Sequence, residues 1–166
     1  EPKGPVQVRI RKNVMVAARD GVRLATDIYL PDGEMSPPGP FPAILIRSPY
    51  GKDATAKVAA FFTTRGYAVA VQDVRGRYDS EGEFYIYVNE AEDGYDALEW
   101  VAEQSWCNGD VGTYGGSYLA ATQNALAVLN PPHLRTMFVY VGTSNYVEDG
   151  AGRGGAFALL HNLAYG

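Results

Sequence analysis

The residues that could do chemistry cluster in Asp110-Val111-Gly112-Thr113-Tyr114-Gly115-Gly116-Ser117-Tyr118-Leu119-Ala120-Ala121. A short apolar strand runs into two glycines, then a serine, then a helix-forming stretch. That is the shape of a nucleophile elbow, the sharp strand-to-helix turn that presents a serine hydroxyl for attack on a carbonyl. The turn strains its backbone, and small neighbours are needed where strand and helix come close. Gly115 stands two residues before the serine. Two residues after it the usual glycine is replaced by Leu119, with Ala120 and Ala121 beyond. The plainer reading is a Gly-rich turn whose serine caps a helix.

Other reactive residue types are sparse. Asp73 ends an apolar run, and Arg75, Arg77, Asp79 and Glu81 follow it in a Gly-broken loop. This reads as a structural ion-pair and turn network shaping a site wall, rather than a catalytic acid. Trp106 and Cys107 precede the elbow strand at its amino end, where Trp106 is expected in the core and Cys107 has no nearby base to activate it. No CxxC, HExxH or His/Asp cluster occurs, so neither a metal nor another cofactor is expected.

The elements that must position these residues follow from pattern. Val6 to Ala18 and Val22 to Leu30 read as strands joined by Asp20-Gly21, an antiparallel hairpin. Pro31 to Pro42, rich in proline, reads as a loop. Phe41 to Arg47 is a buried strand, Asp53 to Arg65 a helix closed by Gly66, and Tyr67 to Asp73 a second buried strand. Asn89 to Glu103 is a helix with acidic residues in its first turn, where they favour the helix dipole. Asp110 to Tyr114 is the elbow strand, Ser117 to Leu129 a helix stopped by Asn130-Pro131-Pro132, and Leu134 to Gly142 a last strand. Ala156 to Leu163 reads as a helix. The alternation from 41 to 142 argues a mostly parallel α/β sheet with flanking helices. Sites in such sheets lie at the carboxyl ends of strands, here Ser48–Asp53, Asp73–Gly82 and Gly115–Ser117.

Composition bounds the partners. The chain has 166 residues, 46% hydrophobic and 20% charged, with net charge −5. That suits a soluble globular domain and argues against nucleic-acid or membrane partners. No apolar run is long enough to span a bilayer. One cysteine allows no internal disulfide, and a cytoplasmic location is favoured over a secreted one. No G-x-G-x-x-G follows the first parallel strand, which sets aside a dinucleotide-binding domain.

Taken together, several segments resemble the cocaine-esterase/NonD group of serine hydrolases, which also includes X-prolyl dipeptidyl-peptidase-like enzymes and amino-ester hydrolases. They are Ala18-Arg19-Asp20-Gly21-Val22-Arg23-Leu24-Ala25-Thr26-Asp27, Arg47-Ser48-Pro49-Tyr50-Gly51-Lys52, Gln72 to Gly82, Gln104 to Gly109, and Gly115-Gly116-Ser117-Tyr118. They occur in the family's order, and the family shows the same Gly-Ser-Tyr-Leu variation at the elbow. The resemblance implies an α/β-hydrolase fold, of which this chain is the N-terminal portion with an incomplete sheet. It divides the chain into a core portion, 1–142, and the start of a cap or lid insertion, 143–166. It implies that Ser117 attacks an ester or amide and forms an acyl-enzyme. The backbone N–H of Tyr118 and the hydroxyl of Tyr50 would form the oxyanion hole. Without the resemblance, Tyr50 reads as a loop aromatic over Pro49.

A serine nucleophile needs a histidine base and a carboxylate to orient it, from loops after later strands. His133 precedes the last strand and so falls at the opposite sheet edge from the elbow. His161 falls in the tail helix, and no strand end sets it beside Asp149. The acid and base are therefore expected from a missing C-terminal part or a second chain: either this chain is one of two pieces that assemble with a complementary C-terminal polypeptide, or it is an isolated fragment. The substrate is a small ester or amide of unspecified acyl group. Glu148 and Asp149 could meet a substrate ammonium, against the plainer reading of a solvated acidic turn. The competing function is a catalytically silent hydrolase-like scaffold, or an inactive fragment, with a binding or assembly role. Oligomeric state is left open.

Overall fold

The computed structural model describes residues 7–33, 38–143, 145, 152, 153, 156 and 157. The first two strands, β1 (Gln7–Ala17) and β2 (Arg23–Asp32), form the expected antiparallel hairpin. Its turn is closed by Ala18 N–H donating to the Val22 carbonyl at 2.8 Å, with Gly21 at φ 86°. β2 runs two residues into the expected proline loop. Pro31 pairs with Val8, so the hairpin's register carries the strand through a residue type that propensity places in a turn. At the loop's other end Phe41 and Pro42 already belong to β3 (Phe41–Ser48).

A 3₁₀ turn, Lys52–Thr55, leads into α1 (Ala56–Thr63), and Gly66 at φ 92° lets the chain turn back into β4 (Ala68–Asp73). The expected helix over Asp53–Arg65 is thus two pieces. α2 (Glu90–Ala102), β5 (Cys107–Gly116), α3 (Tyr118–Ala127) and β6 (Leu134–Tyr140) follow. β5 starts three residues earlier than expected. Gly152–Arg153 pairs antiparallel with Ala156–Phe157 as two short strands, β7 and β8. Ala156 and Phe157 are therefore extended rather than the start of a helix, because their pairing with Arg153 and Gly152 prevails over local propensity. The rest of the expected tail helix, with His161, lies outside the described residues.

The main sheet has the order β1-β2-β4-β3-β5-β6. β3 is parallel to both β4 and β5, and β5 is parallel to β6, while β1, β2 and β4 pair antiparallel. Helices cover both faces of the central strands, as parallel strands require. On one face, α2 and α3 bury Ala97, Leu98, Val101 and Leu126 against Ile28, Ala43, Leu45, Ala70 and Val111. On the other, Ala59 of α1 packs on Tyr29, Ile44, Ile46, Val69 and Val71. The residues of β3 alternate between these clusters with the period of two that a strand dictates. Removing each fully buried aliphatic side chain from water stabilises the fold by about 1.5–3 kcal/mol.

Beyond α1 this second face is open. A groove of about 740 Å³ lies between α1 and β6, walled by Val58, Phe61, Phe62, Tyr114, Met137 and Phe138. Tyr114 and Phe138 stack within it, ring centroids 5.4 Å apart. Among the described residues no helix is long and apolar enough to cross a membrane.

Candidate active site

Three segments leave the sheet at the carboxyl ends of its parallel strands, as expected: the loops after β3 and β4, and the turn after β5. At the last, Ser117 is exposed and holds φ 57°, ψ −123°. A non-glycine residue there is strained by about 1–3 kcal/mol and persists only where its surroundings over-determine it. Gly115 and Gly116 make room. A Cβ at Gly115 would overlap that of Leu119, and one at Gly116 would overlap the Tyr140 ring. Leu119 therefore occupies the place of the usual second glycine because Gly115 already yields the space. The Ser117 side chain makes no capping bond to α3, which removes the plainer reading of a helix-capping serine.

The strained turn is fastened on three sides. Ser117 N–H donates to the carbonyls of Val141 at 3.1 Å and Tyr140 at 3.3 Å, at the end of β6. Gln123 Nε2 donates to the carbonyls of Gly115 and Leu119, both at 2.9 Å, while its Oε1 accepts from Thr113 Oγ1 at 2.9 Å. The third fastening is the Tyr118 side chain, which is 2% exposed. Its hydroxyl donates to Glu90 Oε1 at 2.8 Å and accepts from the Tyr87 N–H at 3.0 Å. Its ring stacks on Tyr87 with centroids 4.7 Å apart and meets Phe84 at 6.1 Å. Burial, reinforced by the Glu90 carboxylate, holds the Tyr118 phenol well above the usual tyrosine range, so it stays a donor.

Glu90 is itself held from β3. Its Oε2 accepts from Arg47 Nη1 at 2.7 Å, and Arg47 Nε donates to Gln72 Oε1 at 2.9 Å. Gln72 in turn donates to Thr26 Oγ1 at 3.0 Å. Arg47 Nη2 has no hydrogen-bond partner and lies 3.8 Å from Asp93 Oδ2. Asp93 is shared with Arg75, whose Nη2 donates to it at 2.6 Å. The acidic first turn of α2 was expected to serve the helix dipole. Instead, Glu90 and Asp93 are buried partners of two arginines. The available signal was Arg47 itself, a charge inside an apolar strand run that had to find a buried partner.

Tyr50 follows β3 and is 46% exposed. Its N–H donates to Ser48 Oγ at 3.0 Å, and the adjacent Pro49 carbonyl accepts from Arg77 Nε at 3.1 Å. Its ring stands edge-on to that of Tyr118, centroids 6.4 Å apart. The two tyrosines singled out in the sequence thus meet beside Ser117.

Asp73 is wholly buried and accepts from Lys52 N–H at 2.8 Å and Lys52 Nζ at 2.7 Å. Its role as part of an ion-pair network is as expected, but its main partner is Lys52. Of the residues expected around it, Asp79 joins the same Lys52 Nζ at 3.0 Å; Ser80, not among them, donates its Oγ hydrogen to the Asp73 carbonyl at 2.7 Å. Arg75 pairs with Asp20 and Asp93, and Glu81 pairs with Arg23. Burial lowers the Lys52 ammonium's pKa, but its bonds to Asp73 and Asp79 outweigh that and hold it above its ordinary value.

His133 stands at the amino end of β6, where its carbonyl accepts from Val111 N–H and its Nδ1 lies 2.6 Å from Glu99 Oε2. The strand between Val111 and Gly116 separates it from the elbow by about 15–20 Å. Trp106 packs partly buried against the core, and burial raises the thiol pKa of Cys107. Asp149, Glu148 and His161 lie outside the described residues.

Comparison with known proteins places this fold in a family. The family described as X-Pro dipeptidyl-peptidase (S15 family) matches residues 20–165. The chain is 41% identical over 157 residues to the cocaine esterase of Rhodococcus sp. (strain MB1 Bresler), covering 90% of this chain and 27% of that protein. A crystal structure of a CocE/NonD family hydrolase from Staphylococcus aureus matches with TM-score 0.68 and 34% identity, covering 78% of this chain and 27% of the other. An alpha-amino acid ester hydrolase matches with TM-score 0.68 and 31% identity, covering 82% and 26%. The chain spans about a quarter of the length of these relatives. Its sheet and helices are those of an α/β-hydrolase, and its relatives are hydrolases; the chain belongs to the X-Pro dipeptidyl-peptidase (S15) family, with CocE/NonD hydrolases among its structural neighbours.

Proposed function

We propose that this chain carries the nucleophile and oxyanion hole of a serine hydrolase acting on a small ester or amide. The observation that carries the reading is Ser117, exposed at φ 57° between β5 and α3. Its Oγ bonds to the substrate carbonyl carbon while a base takes the hydroxyl proton, and the carbonyl oxygen becomes an oxyanion. The Tyr118 N–H and the Tyr50 hydroxyl stabilise that oxyanion. The tetrahedral centre collapses, the alcohol or amine leaves with the proton, and an acyl-Ser117 ester remains. Water then releases the acid and restores the serine.

The triad acid and base come from a C-terminal part beyond these residues or from a second, complementary polypeptide. Residues 1–142 are the N-terminal part of the hydrolase core, and 143–166 begin a cap insertion. Three observations support this. His133, the histidine among the described residues, is engaged by Glu99 at the wrong end of β6. The apolar strand β6 ends the sheet with Phe138 60% exposed. The cocaine esterase relative is more than three times as long as this chain.

The test is intact-mass spectrometry of the native preparation before and after a fluorophosphonate probe, with Ser117→Ala beside it. One probe mass per chain, mapped to Ser117 and absent from the variant, is the expected result. Labelling that persists in Ser117→Ala, or a wild-type chain left unlabelled beside its complementary polypeptide, overturns the reading.

A further inference from the structure

We infer that Glu90 and Arg47 are positioning residues for the oxyanion hole, acting through the Tyr118 hydroxyl to fix the aim of the Tyr118 backbone N–H. The inference rests on the proposed role of Ser117 and adds residues to which that role alone assigns nothing.

The argument starts from the strain at Ser117. The direction of the Tyr118 N–H is set by ψ of Ser117 and φ of Tyr118, the torsions flanking one peptide plane. Ser117 sits in a region that a serine would leave if released. Gln123 and the end of β6 hold the peptide groups on either side of this plane. Within the plane the Ser117 carbonyl accepts from Ala120 N–H at 2.9 Å and Ala121 N–H at 3.2 Å, and the Tyr118 side chain adds a second hold on the residue that carries the N–H. Few rotatable bonds separate the ring from the backbone, so fixing its far end limits how the plane can tilt.

That far end is held closely. The hydroxyl is bonded at 2.8 Å to Glu90 and at 3.0 Å to Tyr87 N–H, and the ring is packed by Tyr87, Phe84 and Tyr50. Glu90 uses its two oxygens separately, Oε1 for Tyr118 and Oε2 for Arg47. Its carboxylate is thereby fixed between β3 and α3. Gly94, one turn along α2, brings that helix down onto both. A Cβ there would meet Leu126 Cβ at 2.9 Å and Arg47 Nη1 at 3.3 Å. The core needs none of this polarity at this place. Apolar residues of similar size pack such a site as well or better than a buried ion pair does. A donor that must stabilise charge only in the transition state gains from being fixed beforehand.

The test uses steady-state hydrolysis of a p-nitrophenyl ester by the assembled enzyme, expressed per active site titrated with a fluorophosphonate, so that only folded molecules are counted. Tyr118→Phe keeps the ring and removes the anchor. Glu90→Gln keeps the shape and weakens the hold of Arg47. For both variants we expect kcat per site to fall about tenfold, part of what deleting an oxyanion donor outright costs, with KM within twofold. Affinity for a phenylboronic acid, whose serine adduct places an oxygen in the same hole, should fall by a similar factor. Unchanged kcat per site and boronate affinity in both variants, with only the thermal midpoint lowered, would overturn the inference and leave a structural brace. Hydrolysis that survives Ser117→Ala would instead overturn the nucleophile assignment itself.

Discussion

The two outer strands of the sheet are built on opposite principles. β1 carries Arg9, Arg11 and Lys12 along an exposed edge and breaks its register between Arg11 and Val14, where Asn13 takes φ 52°. Lys12 Nζ donates to Asp27 at 2.6 Å and to Asp53 at 3.0 Å, and these bonds keep its ammonium above the ordinary lysine range. Charge and a bulge are the devices that stop another strand from adding to an edge. β6 has neither at its carboxyl half. Phe138, Val139 and Tyr140 stand exposed in a regular parallel strand, beside an aromatic groove. Its one charged residue, Arg135, sits near the amino end and is bonded to Asp110 at 2.7 Å. β1 is finished as a surface, whereas β6 is composed like an interior strand.

That contrast can be broken most directly by putting a charge on each edge. Phe138→Lys should weaken binding of the proposed complementary polypeptide at least tenfold by isothermal titration calorimetry, since burying a phenylalanine is worth about 1.5–3 kcal/mol. Ile10→Lys on β1 should change it less than twofold. Equal losses from the two would mean that β6 is not the docking edge.

The same contrast is expected within the elbow. Gly115→Ala drives a Cβ into Leu119 from a backbone at φ 153°, and should lower stability by about 2–3 kcal/mol in urea unfolding. Gly116→Ala meets only the Tyr140 ring, 44% exposed at the open edge and able to swing away, and should cost under about 1 kcal/mol. Should the two costs prove equal, Tyr140 is held more firmly than an open edge implies.

The smallest expected effect concerns charge on the finished side. Hydrogen bonds from Arg75 and then from Val22 N–H hold the Asp20 carboxyl below its ordinary 3.8. A depressed folded-state value means stability that is present above 3.8 and is lost as pH falls through the lower folded value. The gap in thermal midpoint between wild type and Asp20→Asn should therefore be constant above pH 5 and shrink below pH 4. A gap independent of pH would assign the effect to the turn rather than the charge.

Much of this arrangement was legible in the sequence because it is local. Asp20-Gly21 between apolar runs specifies the hairpin, and two glycines before Ser117 specify the elbow and its close helix. The order of segments identified the family. Tyr50 and Tyr118 were placed by resemblance, and they meet as edge-on rings. What could not be read is long-range. An acidic helix start reads the same whether Glu90 faces water or a buried arginine, and only the packing of α2 on β3 decides it. The partner of Asp73 is Lys52, from another loop, so its nearer sequence neighbours gave the kind of network without the pairing. Ala156 and Phe157 pair with Gly152 and Arg153, a tertiary choice that helix propensity does not report.

The chain of hydrogen bonds from Thr26 through Gln72, Arg47 and Glu90 to Tyr118 crosses β2, β4, β3, α2 and α3. Contacts of such wide sequence separation form late, because loop closure must precede them. A partly made chain on the ribosome would therefore carry Ser117 only as an ordinary alcohol. On the proposed reading of Ser117, reactivity then belongs to the finished molecule, and an unfinished one poses no hazard to the esters around it.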